Sequence, residues 1–406
     1  MKPIGPIPPE FTPPGAATRL RLGGYDVAEL TAASTPLFVY DFAVVAHRIA
    51  QLRAACPGLD LHYAIKANPY PPLLAAIAPL VDGFDVASAG ELAVALDHQL
   101  AAAISFAGPG KRDAELDAAI RAGATLNLES EAEGTRALAI GDRLGIVPRL
   151  AVRVNPDFEL KGSGMRMGGR ASPFGIDAPR AAALVRTLIA AGAEWRGFHI
   201  FAGSQSLDST ALIETQAATL ALAERLADEA GAVPPLVNLG GGFGVPYFAG
   251  DTAIDLPRIG AALTEAIARG GLTGTRYALE LGRYLVAESG VYLTRVVDRK
   301  ESRGETFLIC DGGLHHQLAA SGNFGTVVRR NYPLALADRI GAEPTETVSV
   351  VGPLCTPLDR LGDHVALPRA EVGDVIAVFL AGAYGLSASP TGFLNHPLPR
   401  ERLVGA

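Results

Sequence analysis

The sequence predicts an α/β protein, a (β/α)8 TIM-like barrel over about residues 35–289 followed by a mostly antiparallel β domain of 290–406 joined by 1–34. Short apolar runs of β type alternate with helix-like segments through the middle of the chain. Eight such runs fit a closed barrel better than an open doubly wound sheet. After Arg283 the helical segments stop, and β-type runs follow one another between Gly, Pro and charged clusters.

The eight runs are Leu61–Lys66, Phe84–Ser88, Ala103–Ala107, Thr125–Glu129, Leu150–Asn155, Gly197–Ala202, Leu236–Gly240 and Tyr277–Leu281. Near-continuous apolar strands of this kind are buried on both faces, as parallel strands are. Among the intervening helices Ala211–Ala230 is the clearest, with Leu212, Leu220, Leu222 and Leu226 on a helical period. The later runs are VYLTRVVDRK, ETFLICDGG, ETVSVVGPL and DVIAVFLAGAY. The early LRLGGYDV (20–27) reads as a hairpin that could join the second domain.

Composition narrows the function. Of 406 residues 49% are hydrophobic and 19% charged, the balance of a globular enzyme. The net charge of −7 has no basic cluster behind it, which argues against nucleic acid and anionic membrane as partners. The proline-rich N-terminus has no apolar core of a secretory signal, and no run is long enough to span a membrane, so a cytoplasmic protein is expected. Cys56, Cys310 and Cys355 are far apart and form neither a disulfide framework nor a zinc spacing, so no metal is expected.

Unusual residues gather at the C-terminal ends of the strands, where barrel enzymes place their chemistry. Lys66 ends the first run, in HYAIKANP: either a lysine snorkelling at a strand end, or an amine made nucleophilic by an apolar pocket. The seventh run enters LGGGFG, where Gly241 and Gly242 can close backbone N–H groups round a phosphate or simply make a tight turn. The eighth gives ELGR, with Glu280, Gly282 and Arg283. Arg283 could add charge to a phosphate cup and Glu280 could face a cofactor ring, or the two could be an ordinary salt-bridged strand end. In GFHIFAGSQ, His199 and Phe201 share a face that suits a planar ring, and Ser204 opens the next loop; a core histidine is the plain alternative. Asp85 and Arg153 end the second and fifth runs, and each alone reads as structural. GPLCTPLD and GAYG carry Cys355 and Tyr384, and the cysteine could equally be a small buried hydrophobe.

Taken in order, YAIKANP, FDVASAGEL, RVNP, GSQ, LGGGFG, E-x-GR, GPLC and GAYG resemble the fold-type III pyridoxal-phosphate (PLP) decarboxylases, the diaminopimelate and ornithine decarboxylase group, from about Thr35 to Pro397. ISFAGPGKRDAEL and DGGLHHQLAASGNFG look like the subgroup associated with exosortase and exopolysaccharide clusters. The resemblance implies an alanine racemase-like barrel and release of CO2 from the α-carbon of an amino acid through a Lys66 aldimine and a quinonoid. Ser204, Gly241, Gly242, Arg283 and Tyr384 would hold the phosphate, and Asp85, Arg153, Phe201 and Gly282 would belong to the same cofactor site. Glu280 would keep the pyridine nitrogen protonated, which favours decarboxylation over racemisation. Cys355 would come from the partner subunit of a homodimer and return a proton to Cα.

The chain departs from the group in three places. Phe201 stands where the group has its ring-stacking histidine, with His199 two residues earlier. Leu281 stands where the group has proline in E-P-G-R. Thr356 replaces the acid that follows the catalytic cysteine, and HHQLAASGNFGTVVRR replaces the usual substrate segment. Thr356, Asp359, His315 and Arg329 are therefore the residues expected to meet the substrate. The substrate is a free amino acid or, alternatively, an aminoacyl group tethered to a carrier protein; a racemase and a non-catalytic PLP-binding protein are the lesser alternatives.

Overall fold

A computed structural model describes residues 1–12, 18–160, 162, 164–166, 168–322 and 330–406. The chain divides into two compact units: Ile49–Val245 with Ala253–Gly282, and Met1–Arg48 with Pro246–Thr252 and Arg283–Ala406.

The first unit is a closed barrel of eight parallel strands, β1 (Asp60–Ala64), β2 (Gly83–Val86), β3 (Ile104–Phe106), β4 (Thr125–Leu128), β5 (Arg149–Asn155), β6 (Glu194–Ile200), β7 (Leu236–Asn238) and β8 (Arg276–Leu281). β8 pairs with β1, Glu280 level with His62, and this closes the ring. Every expected run is a barrel strand, with ends displaced by no more than three residues. Among the described residues seven helices intervene: α1 (Pro71–Ile77), α2 (Ala89–Leu96), α3 (Asp113–Ala122), α4 (Glu131–Leu144), α5 (Ala178–Ala190), α6 (Ser209–Ala230) and α7 (Leu256–Arg269). α6 begins two residues before the expected Ala211 because Asp208 caps it, its carboxylate accepting from Thr210 N at 2.9 Å and Ala211 N at 3.1 Å. Gly231, in the left-handed region at φ 66°, ends it.

Alternation along the strands gives the barrel two unlike faces. Leu61, Tyr63, Phe84, Phe106, Leu126, Leu150, Val152, Val237 and Leu279 are buried large apolar residues. The other face, followed from strand to strand by register, carries His62, Gly83, Asp85, Ser105, Asn127, Ala151, Arg153, Gly197, His199, Asn238, Ala278 and Glu280. His199 and Glu280 meet through their side chains, which identifies this face as the barrel interior. The apolar face is then the one the helices cover. Barrel interiors are usually filled by branched aliphatic residues, and this one is small and polar instead.

The second unit is built on a mixed sheet. Its long strand Gly290–Ser302 pairs antiparallel with Leu37–Asp41, Glu305–Cys310 and Val375–Val378. Glu305–Cys310 pairs parallel with Glu346–Val351, which pairs antiparallel with Arg360–Leu367. Leu37–Asp41 also takes Arg400–Val404 as a parallel neighbour. All five residues of Leu37–Asp41 are buried, the pattern of a barrel strand, yet register places them in this sheet. The hairpin expected near residues 20–27 is present as Arg21–Leu22 against Tyr25–Asp26. Among the described residues no helix is long and apolar enough to cross a membrane.

Candidate active site

β1 ends at Ala64 and breaks into one 3-10 turn, Ile65–Ala67, so Lys66 stands at the strand's C-terminal mouth. Its Nζ lies 3.4 Å from Glu280 Oε1 and 3.6 Å from Asp85 Oδ2. The other Glu280 oxygen, Oε2, lies 2.7 Å from His199 Nε2 and 3.5 Å from Asn238 Nδ2. Four of the sequence-predicted residues, Lys66, Asp85, His199 and Glu280, are thus brought together, from β1, β2, β6 and β8.

Their environment separates the two acids. Burial alone would raise the Glu280 carboxyl, but the charges of Lys66 and His199 outweigh it and hold that group well below the ordinary carboxylate range. Asp85 is pushed well above that range by burial and then by the Glu280 charge. No donor among the described residues reaches either Asp85 oxygen by a hydrogen bond. The two carboxyls are driven in opposite directions, Glu280 toward its charged form and Asp85 toward its neutral one.

Arg153 lies inside the same barrel and is held by a partner that sequence reasoning missed. Its Nη1 is 2.7 Å from Glu129 Oε1, while Glu129 Oε2 accepts from Gly175 N at 2.7 Å. The guanidinium also stands 5.1 Å from the centre of the Phe174 ring. Glu129 was visible as the last residue of the fourth run, but nothing in a linear pattern joins it to Arg153. Asn238 was hidden in the same way, as the residue before LGGG.

The loop after β7 is shaped for a backbone anion site. Gly240 and Gly242 have φ of 68° and 92°, and a Cβ on Gly241 would lie 2.1 Å from the Glu280 carbonyl oxygen. The N–H groups of Gly241 and Gly242 donate to nothing among the described residues. Phe201 follows directly after β6, and Ser204 lies in the short pairing Gly203–Ser204 with Met165–Arg166. Gly282 is required by packing, since a Cβ there would meet Ala67 Cβ at 2.9 Å.

The remaining expected residues belong to the second unit. Arg283 donates from Nη1 to Tyr247 Oη at 3.2 Å and stands 4.7 Å from the centre of the Tyr384 ring. Burial would lower its pKa, yet Tyr247 and Tyr384 raise it on balance, and its buried Nε donates to nothing among the described residues. Cys355 is exposed. Thr356 and Asp359 sit in the same turn, where Asp359 accepts from Leu314 N at 2.6 Å and Leu354 N at 2.8 Å and so holds two backbone segments together. His315 is fully buried with its ring 3.7 Å from His316 and 5.0 Å from His396, and burial followed by those two histidines pushes it down to about 4. Arg329 lies outside the described residues.

A parallel barrel with a lysine at the mouth of its first strand, facing an ionised carboxylate on its last, defines the class. The family model described as the pyridoxal binding domain of pyridoxal-dependent decarboxylases matches residues 42–287. The chain is 37% identical over 394 residues to the L-glutamyl-[BtrI acyl-carrier protein] decarboxylase of Niallia circulans, covering 93% of this chain and 91% of that one. It is 30% identical to the diaminopimelate decarboxylase of Methanothermobacter thermautotrophicus, covering 95% and 90%. The solved diaminopimelate decarboxylase of Helicobacter pylori with L-lysine is 27% identical at a TM-score of 0.84, covering 93% and 94%. The chain belongs to the pyridoxal-dependent decarboxylases of fold type III, the group whose motifs its sequence carries.

Proposed function

We propose that this chain is a PLP-dependent carboxy-lyase acting at the α-carbon of an amino acid, and that Lys66, Glu280, Asp85 and His199 are its core. Lys66 Nζ standing 3.4 Å from Glu280 Oε1, across the closure of the barrel, is the observation that carries this reading. The residues present fit the cofactor. Two undonated glycine amides form a cradle that a Cβ would fill, and the buried His199 Nδ1 meets no hydrogen-bond partner among the described residues.

Pyridoxal phosphate, when bound, supplies the electron sink for the bond pair left behind as CO2 departs. Lys66 would hold it covalently through Nζ. Glu280 would keep a proton on the pyridine nitrogen, and His199 orients and shares the charge of that carboxylate. Gly241, Gly242 and Ser204 would bind the phosphate, with Arg283 and Tyr384 proposed as further ligands on the resemblance alone. Since His199 is committed to Glu280, Phe201 is left as the residue to cover the ring. Cys355 would return the proton to Cα, and a carboxylate at the ring nitrogen disfavours the racemase alternative.

For the substrate, the reading favoured is an aminoacyl group carried on another molecule. Thr356 in place of an acid removes the carboxylate suited to a free distal amine, and the Niallia circulans relative is named for a carrier-bound glutamyl substrate. The test is a CO2-release panel of L- and D-amino acids, each free and carrier-linked, with borohydride reduction and peptide mapping of the holoenzyme. CO2 from carrier-linked substrate with the label on Lys66 is expected. Release from free amino acids alone would return the substrate to the diaminopimelate type, and a label elsewhere would remove Lys66 from its role.

A further inference from the structure

The polar barrel interior leaves space at the end opposite Lys66. A cavity of about 200 Å³ opens there, bounded by His62, Ser105, Asn127, Asn238, Arg196 and Arg276. This is well beyond the ~30 Å³ that one water occupies, and it sits where other barrels are packed solid. A small residue helps make the room: Ala151 bounds the space where a branched side chain would enter it.

Two unsatisfied donors or acceptors belong to this cavity. His62 is 7% exposed, and its Nδ1 has no hydrogen-bond partner among the described residues. Arg196 Nε is likewise without a partner. Buried polar atoms are seldom left so, and each calls for a group that completes it.

Charge selects the kind of group. The ion pairs at and beside the cavity are Arg276 with Asp60 at 2.6 Å, Arg53 with Asp82 at 2.7 Å, and both Arg149 and Arg196 with Glu194 at 3.3 and 2.8 Å. Asp60, Asp82, Arg196 and Arg276 bound the cavity itself, and among the described residues Arg196 shares its one acid, Glu194, with Arg149, so one positive charge is left over on the Arg196 side. His62 adds none, since burial lowers its pKa. Leu100 and Leu236 give the same space apolar wall.

We propose that the cavity at the N-terminal end of the barrel is a binding site for a small organic monocarboxylate, its carboxylate on Arg196 and its hydrocarbon part against the apolar wall. The site lies on the opposite side of Glu280 from Lys66 and is not part of the decarboxylation machinery. Asn238 borders both, bounding the cavity and holding its Nδ2 3.5 Å from Glu280 Oε2. An occupant that turns Asn238 would change the partners of Glu280.

The test is calorimetric titration of the full-length protein with butyrate, with butylamine as the probe of opposite charge. One butyrate per chain is expected, with butylamine silent. Arg196→Met, which keeps the stem and removes the guanidinium, is expected to weaken butyrate binding at least about tenfold. Ala151→Leu, which fills the cavity from its wall, is expected to abolish it. Absence of heat at millimolar butyrate, equal binding of butylamine, or unchanged affinity in Arg196→Met overturns the site, whatever Ala151→Leu does to folding.

Discussion

Two buried carboxyl groups lie beside one lysine, and their partners decide which is charged. Glu280 has His199 on one oxygen and Lys66 near the other, while Asp85 has no hydrogen-bond donor among the described residues. Glu280→Gln is therefore expected to keep PLP bound and to lower kcat by about a hundredfold or more with KM nearly unchanged, because an amide cannot hold the ring proton as carbanionic charge develops. Equal damage to kcat and KM in steady-state assays would make Glu280 a structural residue. His315 gives a second expectation, in stability. Its folded pKa of about 4 lies below the ordinary 6.5. A depressed histidine leaves the fold intact above pH 6.5 and destabilises it progressively as pH falls from there to about 4. His316, packed against it and also pushed down to about 4, adds to the same loss. Thermal unfolding of His315→Asn should lack the His315 component of the acid slope, and parallel slopes in the two proteins would refute it. Lys66, His199 and Glu280 were legible because each lies at a strand end in a motif. Asn238, Glu129 and His62 were not, because their partners are set by register across the barrel.

Among the elements, the strands were legible to within one to three residues because covering helices demand a large apolar side chain at every second position. Their inward positions hold His62, Asp85, His199 and Glu280, and there the near-continuous apolar pattern gave little warning that the interior would be polar. Leu37–Asp41 is the strand whose place its sequence does not reveal. A fully buried strand looks the same in a barrel and in a sheet buried on both faces. The segment between β3 and α3 holds an ion pair that no motif announced. Lys111 Nζ lies 2.8 Å from Glu133 Oε1 on α4 and donates to Gly108 O at 2.7 Å and Asn127 O at 2.9 Å, with both side chains almost wholly buried. Lys111→Met strands the Glu133 carboxylate and should cost about 3–5 kcal/mol in urea unfolding. Lys111→Met with Glu133→Leu should recover most of that. If the double variant is no better than the single, the pair is not the source of the loss.

For the whole molecule, the question is where Cys355 acts. It lies in the second unit, far along the chain from Lys66, and we propose that it serves the site of a partner subunit in a homodimer. Lys66→Ala and Cys355→Ala are each expected to be inactive. Mixed under conditions of demonstrated subunit exchange, they should regain about a quarter of wild-type activity, since half the dimers would carry one intact site of two. Absence of recovery would place both residues in one chain's site or take the cysteine out of the reaction. The two-domain plan was legible because helical periodicity stops near Arg283. The strand that crosses from the barrel side of that division, Leu37–Asp41, was not.

The closure of the barrel by β8 on β1 carries a consequence for biosynthesis. Lys66 and Glu280 are neighbours in space but 214 residues apart in sequence, joined only when the first strand receives the last. Contacts of such separation form late, because the long intervening loop must be closed before they contribute. A chain emerging from the ribosome displays Lys66 long before Glu280 has been synthesised. On the roles proposed for Lys66 and Glu280, a chain truncated before Leu281 would carry the lysine without the carboxylate proposed to act beside it.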